Sequence, residues 1–165
     1  MTTIKYICSL GTSCHTSAFK IRNRLKFESY PFDWIISNPK MILHCLENDF
    51  KLFLDKSQYI NIFENRSSHL IYGDIFHHHN LLDSNDYDYF VRSVNRFREI
   101  MKSEEEKLFI MTFTNIKNIV NIIEFNKEFS KNTKNYTLLV IYHFVSGVQR
   151  HNVSNIENIL SLIHI

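Results

Sequence analysis

Three segments, residues 4–10 (IKYICSL), 107–113 (KLFIMTF) and 136–145 (YTLLVIYHFV), are apolar without the alternation that marks a half-exposed strand. A strand-length run with no polar face needs cover on both sides, which a mainly parallel sheet flanked by helices provides. Helical spacing appears between these runs. Ala18, Ile21 and Leu25 share one face of a segment that places Lys20, Arg24 and Lys26 on the other. Asn38-Pro39 supplies a cap and a first helical residue for a helix turning Met41, Ile42, Cys45 and Leu46 inward. Asp83 or Ser84 opens a long helix repeating Phe90, Val94, Phe97 and Met101, and Ile116, Ile119, Val120, Ile123 and Phe129 form another. Residues 55–69 read as irregular, 69–76 as a strand broken by Gly73, and 156–163 as a closing amphipathic stretch. The expectation is α/β: a single three-layer domain over residues 1–165. With three glycines and two prolines, the chain lacks the turns that a β-sandwich or barrel requires.

Charge and cysteine usage narrow the function classes. Nineteen basic against seventeen acidic residues leave a formal charge of +2, too little for a general polyanion binder, so no nucleic-acid partner is expected. Cys8, Cys14 and Cys45 are odd in number and show no CxxC pair, which argues against a disulfide framework or a zinc knuckle. The N-terminal residues do not read as a signal peptide, and no apolar run approaches the roughly 20 residues of a membrane helix. A cytoplasmic, reducing setting without a membrane partner is expected.

The most informative element is Leu10-Gly11-Thr12-Ser13-Cys14, at the carboxyl end of the first strand. Open α/β sheets place their sites in that position. A thiol in the first turn of a helix meets the positive end of the helix dipole and unpaired N–H groups, which favour a thiolate and can hold an oxyanion. Cys14 is therefore the candidate nucleophile. Ser13 or Thr12 is the helix cap, Ser13 is also an anion-binding residue or a rival nucleophile, and Cys8 and Cys45 suit packing roles.

Ser9-Leu10-Gly11 with Cys14 and Ala18, followed by Ser29-Tyr30-Pro31-Phe32-Asp33-Trp34 and Ser37, closely resembles the opening signature of a papain-like cysteine peptidase family, a domain of unknown function from bacteria and large DNA viruses. The later pattern is similar too: a histidine segment after an aromatic-rich strand (Tyr72 to His79), a basic helix with Arg92, Arg96 and Phe97, and an apolar strand from Leu108 to Thr112. The resemblance implies Cys14 as nucleophile and a histidine of the triplet as base, His78 matching best and His77 in reserve. It also implies an antiparallel sheet beside the cysteine helix, whereas the residues themselves read as a parallel one.

A cysteine nucleophile needs an imidazole to take and return its proton, and a third group to orient that imidazole. His77, His78 and His79 are expected at a strand end, His78 facing away from its two neighbours. Asp33, between Phe32 and Trp34, is the candidate orienting carboxylate; its alternative is an Asx-turn or an ion pair with Arg22 or Arg24. Arg92 and Arg96, one helical turn apart, could clamp a carboxylate or phosphate, or pair with Asp88 or Glu99. A metal site on Asp74, His77 and His79 lacks the usual ligand spacing, so neither a metal nor another cofactor is expected.

These residues point to a cysteine-dependent hydrolase or acyltransferase acting on a protein, peptide, or acylated or glycan substrate. The competing reading is a non-enzymatic α/β module holding an anionic group, glycan or protein at Ser13, Arg92 and Arg96. A serine hydrolase using Ser13, similar to the first block of GDSL-type esterases, lacks the matching Asp-x-x-His near the C-terminus. The apolar LSLIHI tail can pack in the core or against a second subunit.

Overall fold

The computed structural model describes residues 3–63, 66–113, 122–143, 151–156 and 159–164, the last two stretches and residues 142–143 by backbone alone. The elements run β1 (Tyr6–Gly11), α1 (Cys14–Arg22), α2 (Pro39–Glu47), β2 (Tyr59–Phe63), β3 (Arg66–His69), α3 (Ser84–Lys102), β4 (Lys107–Phe113), α4 (Ile122–Phe129), β5 (Tyr136–His143), β6 (His151–Ile156) and β7 (Ile159–His164). Among the described residues the main sheet has the order β1-β4-β5-β7-β6. The β1–β4, β4–β5 and β5–β7 pairs are parallel, and β6 is an antiparallel edge. The three apolar runs thus become the adjacent strands β1, β4 and β5, in register at Phe109 with Cys8 and with Leu138. This is the expected α/β architecture with a largely parallel sheet flanked by helices. No described helix is long and apolar enough to cross a membrane.

The strand order proceeds in one direction along the parallel strands, so there is no reversal to open a crevice between neighbours. The carboxyl end of β1 instead lies at a sheet edge. Its surroundings come from the irregular segments around 27–38 and 70–80, both anchored by aromatic packing. Phe97 of α3 meets Phe109 of the sheet (6.3 Å between ring centroids), Phe32 (5.5 Å) and Phe50 (5.6 Å). Phe53 meets Phe76 and Phe90, each at 5.8 Å. All of these rings are at most 1% exposed. Each buried phenylalanine contributes about 1.5–3 kcal/mol by leaving water, so the loops are fastened to the core by their rings.

Several local expectations change. Residues 55–69 contain a short helical turn and the antiparallel pair of β2 and β3, because a strand written Arg66-Ser67-Ser68-His69 carries no apolar period to read. The strand expected over 69–76 stops at His69. A turn then brings Gly73, at φ +78°, back to bridge His69. Of the closing stretch 156–163, Ile156 ends strand β6 and residues 159–163 lie in strand β7. The helix expected from Ile116 is seen as α4 from Ile122; Ile116, Ile119, Val120 and Val145 lie outside the described residues. Asp83 caps α3, and Asn38 caps α2 with Pro39 in its first turn, as expected.

The largest reversal is in α1. Its buried residues are Thr16, Ser17 and Lys20, whereas Ile21 is 48% exposed. The polar stripe faces inward because it has a buried acid to meet.

His69 supports the turn leading to the histidine segment. Its Nδ1 accepts the N–H groups of Ile71 (3.1 Å) and Tyr72 (3.3 Å), which fixes the proton on Nε2, donated to the Leu52 carbonyl (3.0 Å). Burial, partly offset by the Leu52 carbonyl and Asp55, lowers its pKa from 6.5. In the interval below 6.5 the unfolded chain therefore binds the extra proton more readily, and stability falls as pH drops through the depressed folded value. Denaturant midpoints measured from pH 7.5 downward should fall less steeply for His69→Gln than for the wild type. Superimposable slopes would remove His69 from this role.

Candidate active site

The β1–α1 connection takes two consecutive left-handed residues, Gly11 (φ +79°) and Thr12 (φ +72°). Holding a β-branched residue there costs on the order of 1–3 kcal/mol, and side-chain hydrogen bonds stabilise it. The Thr12 hydroxyl donates to the Thr112 carbonyl at the end of β4, and Thr16 Oγ1 donates to the Gly11 carbonyl (2.8 Å). Ser37 Oγ accepts the Thr12 N–H (2.9 Å) and donates to the Leu10 carbonyl (2.7 Å). The turn is thereby tied to the segment after Pro31. It delivers Ser13 as N-cap and Cys14 as first residue of α1, whose opening turn holds no acid. Ser13 Oγ accepts the His15 N–H (3.3 Å) and lies 3.0 Å from His15 Nδ1.

Cys14 is partly exposed. The other two cysteines are fully buried: burial holds the Cys8 thiol well above its ordinary pKa, despite nearby Lys20, and pushes Cys45 up to about 12.

Asp33 is fully buried and engaged by α1. Its Oδ1 accepts from Ser17 Oγ (2.9 Å) and Lys20 Nζ (3.2 Å), and its Oδ2 accepts the Tyr30 N–H (3.1 Å). Lys20 is equally buried. The acid is ion-paired, but with Lys20 in place of Arg22 or Arg24, and no histidine is among its hydrogen-bonding partners. Ser17 is the i,i+3 neighbour of both Cys14 and Lys20 on α1, so it links the position of the thiol to the grip on Asp33. Ser17 Oγ also accepts the Trp34 N–H (3.3 Å), holding Trp34 at φ +61°.

The histidine segment is a turn, so the expected strand alternation does not apply. His78 is exposed and meets the Trp34 ring edge-on (5.9 Å, 85°). His77 is exposed, with Nε2 3.8 Å from Asp74, a carboxylate also held by Arg66 at 2.6 Å. His79 bonds Asp86 (3.1 Å) and stacks on Tyr89 (5.4 Å), a packing role at the start of α3. The Ile36 N–H donates to the Ile75 carbonyl (3.0 Å), linking the Trp34 loop to the histidine turn. Trp34 is thus the junction between the Cys14 helix and His78. Among the described residues, no hydrogen bond joins Cys14 to a histidine.

Arg96 does not form the expected clamp. Its Nε and Nη2 donate to the Ser29 carbonyl (3.0 and 2.7 Å), fixing the start of the Trp34 loop, while Arg92 remains exposed. Among the described residues no three His, Cys, Asp or Glu side chains gather as a metal site. A cleft of about 550 Å³ runs along α2 between Lys40, His44, Glu47 and Tyr72, and Cys14 does not line it.

Sequence reasoning missed Ser17, Lys20 and Ser37 as the ties of the site. The legible signal was Ser13, Thr16, Ser17 and Lys20 on one side of a short helix, where a cluster of hydroxyls beside a lysine can serve a buried acid. The papain-like label implies an antiparallel sheet beside the cysteine helix; here α1 follows a strand paired in parallel with β4.

No curated protein and no solved structure matches the chain. The segment carrying Cys14, Lys20, Asp33, Trp34 and Ser37 does have a counterpart: residues 5–72, ending before His77 and His78, match the family model described as "Putative papain-like cysteine peptidase (DUF1796)".

Proposed function

We propose that this chain is a cysteine-dependent acyl hydrolase or acyltransferase, with Cys14 as nucleophile and His78 as base. The observation that carries the reading is the contrast among the three cysteines: two are buried thiols, and only Cys14 is accessible, at the first residue of a capped helix. In the reaction, Cys14 Sγ bonds to the substrate carbonyl carbon as His78 takes the thiol proton. His78 returns that proton to the leaving nitrogen or oxygen as its bond to carbon breaks. Water, or an acceptor hydroxyl or amine, then releases the acyl group and restores the thiol. The N–H groups at the start of α1 receive the oxyanion. The substrate is a peptide, protein or other acylated molecule, no cofactor takes part, and the free thiols suit a reducing, cytoplasmic setting.

Iodoacetamide at pH 7 followed by peptide mapping should label Cys14 at least about tenfold faster than Cys8 and Cys45. His78→Ala should slow Cys14 labelling, with His77→Ala leaving it unchanged. Equally slow labelling at all three cysteines removes the nucleophile.

Among the described residues Cys14 has no hydrogen bond to a histidine, which favours a second reading, a non-enzymatic module that holds an anionic group at the start of α1. Its anion would be held by the Ser13–Cys14 N–H groups and Arg92, since Arg96 is engaged by Ser29. Ligand binding that survives Cys14→Ala while Cys14 stays unreactive selects this reading.

A further inference from the structure

The formal charge of the chain is +2, and residues 11–34 account for all of it: Lys20, Arg22, Arg24 and Lys26 against Glu28 and Asp33. The buried Lys20–Asp33 pair cancels internally. What faces solvent beside the site is then Arg22, Arg24 and Lys26 against Glu28 alone. None of these three cations makes an ion pair or a side-chain hydrogen bond among the described residues. The nearby acids of the histidine turn and of the first turn of α3 are already engaged, Asp74 by Arg66 and His77, and Asp86 by His79 and the Asn80 N–H. Lys26 Nζ lies 5.7 Å from the centre of the Trp34 ring, the same ring that His78 meets. Within this cationic run Phe27 is 77% exposed and Ile21 48%.

We infer that Arg22, Arg24, Lys26 and Phe27 form a recognition ledge for an acidic peptide, whose carboxylates flank the acyl group presented to Cys14. The inference rests on the nucleophile reading of Cys14 and adds its substrate class. Three cations interleaved with an aromatic and an aliphatic side chain suit a short peptide carrying both carboxylates and apolar groups. A nucleic-acid track would need positive charge continuing elsewhere, and the remainder of the chain is neutral. Cys14 and Arg22 mark the two ends of α1, about 12 Å apart at 1.5 Å per residue. An extended peptide covers that distance with roughly four residues.

Two methanethiosulfonates of opposite charge, sulfonatoethyl and trimethylammonioethyl, test the ledge with Cys14 as reporter. In each, the Cys14 thiolate forms a disulfide with the sulfenyl sulfur and displaces methanesulfinate. Relative to free 2-mercaptoethanol, Cys14 should favour the anionic reagent by roughly three- to tenfold at low salt. The preference should collapse in 0.5 M NaCl and in R22Q/R24Q/K26Q, and rise in Glu28→Gln. Fluorescent peptides offered to the Cys14→Ala protein supply the ligand arm: a Glu-containing peptide should bind at least about tenfold tighter than its Lys-substituted counterpart and tighter than oligo-dT. A reactive Cys14 without charge preference, or a preference unchanged in the triple variant, overturns the ledge and leaves the nucleophile standing. Tighter binding of oligo-dT overturns the peptide assignment, and a Cys14 inert to both reagents overturns nucleophile and ledge together.

Discussion

Lys20→Met is expected to lower the unfolding free energy by about 3–5 kcal/mol, because it leaves the Asp33 carboxylate buried without its cation. Both partners are fully buried and 3.2 Å apart, so water cannot compensate the orphaned charge. Ser17 and the Tyr30 N–H still donate to Asp33, which places the loss inside that range and not above it. Asp33→Asn should cost a similar amount by stranding Lys20. In the double variant K20M/D33L much of each loss should be recovered, since removing a buried pair as a unit avoids the uncompensated charge. Recovery stays incomplete because the Tyr30 N–H and Ser17 hydroxyl then lack an acceptor. Urea unfolding of wild type, K20M, D33N and K20M/D33L measures the two losses and the recovery. A K20M protein within about 1 kcal/mol of wild type, or a double variant no better than the worse single, would show that the pair does not hold α1 against the Trp34 loop.

This pair also marks where sequence reading succeeds and where it fails. The strands around Cys8, Phe109 and Leu138 are legible because a continuous apolar run admits few environments, and α3 because Phe90, Val94, Phe97 and Met101 repeat at helical spacing. Cys14 is legible for a local reason: a glycine, a cap residue and a helical pattern follow one another within a few positions. The facing of α1 is illegible by the same rules, since Ile21 marks a core stripe only if the core offers nothing polar. Asp33, brought in from another part of the chain, inverts that assumption. The acid's burial could be anticipated from Phe32 and Trp34, but its partner could not, because pairing is a property of two segments and no pattern within either one names the other. The histidines fail similarly. Strand alternation assigned their faces, and a turn closed by Gly73 and held by His69 leads into them instead. Ser37 belongs to the recognisable motif, yet its bonds to Leu10 and Thr12 appear only when the Trp34 loop is folded against the end of β1.

Among the described residues, two left-handed glycines separate backbone strain from close packing. Gly11 and Gly73 have nearly identical φ values, +79° and +78°, so an alanine at either should cost about 1–2 kcal/mol for the backbone conformation. Their surroundings differ. A Cβ on Gly73 would meet nothing within 4 Å, whereas one on Gly11 would come within 2.3 Å of Ser37 Oγ and 3.0 Å of the Phe32 carbonyl. Gly11→Ala must therefore displace Ser37, losing a buried hydrogen bond to Leu10 and the acceptor of the Thr12 N–H, each worth about 1 kcal/mol or more. The expected loss is about 3–5 kcal/mol for Gly11→Ala against about 1–2 for Gly73→Ala, read as a difference in urea midpoints at unchanged slope. Ser37→Gly placed on Gly11→Ala should relieve the contact with Oγ without restoring the bonds, recovering only part of the loss. Cys14 gives the second readout: Gly11→Ala loosens the turn that delivers it to the helix start, so its alkylation rate should fall toward that of a free thiol, while Gly73→Ala leaves the rate near wild type. If the two alanine variants are equally stable, the close approach of Ser37 contributes nothing beyond the backbone conformation, and the Leu10–Ser37–Thr12 tie cannot be what fixes Cys14 in place.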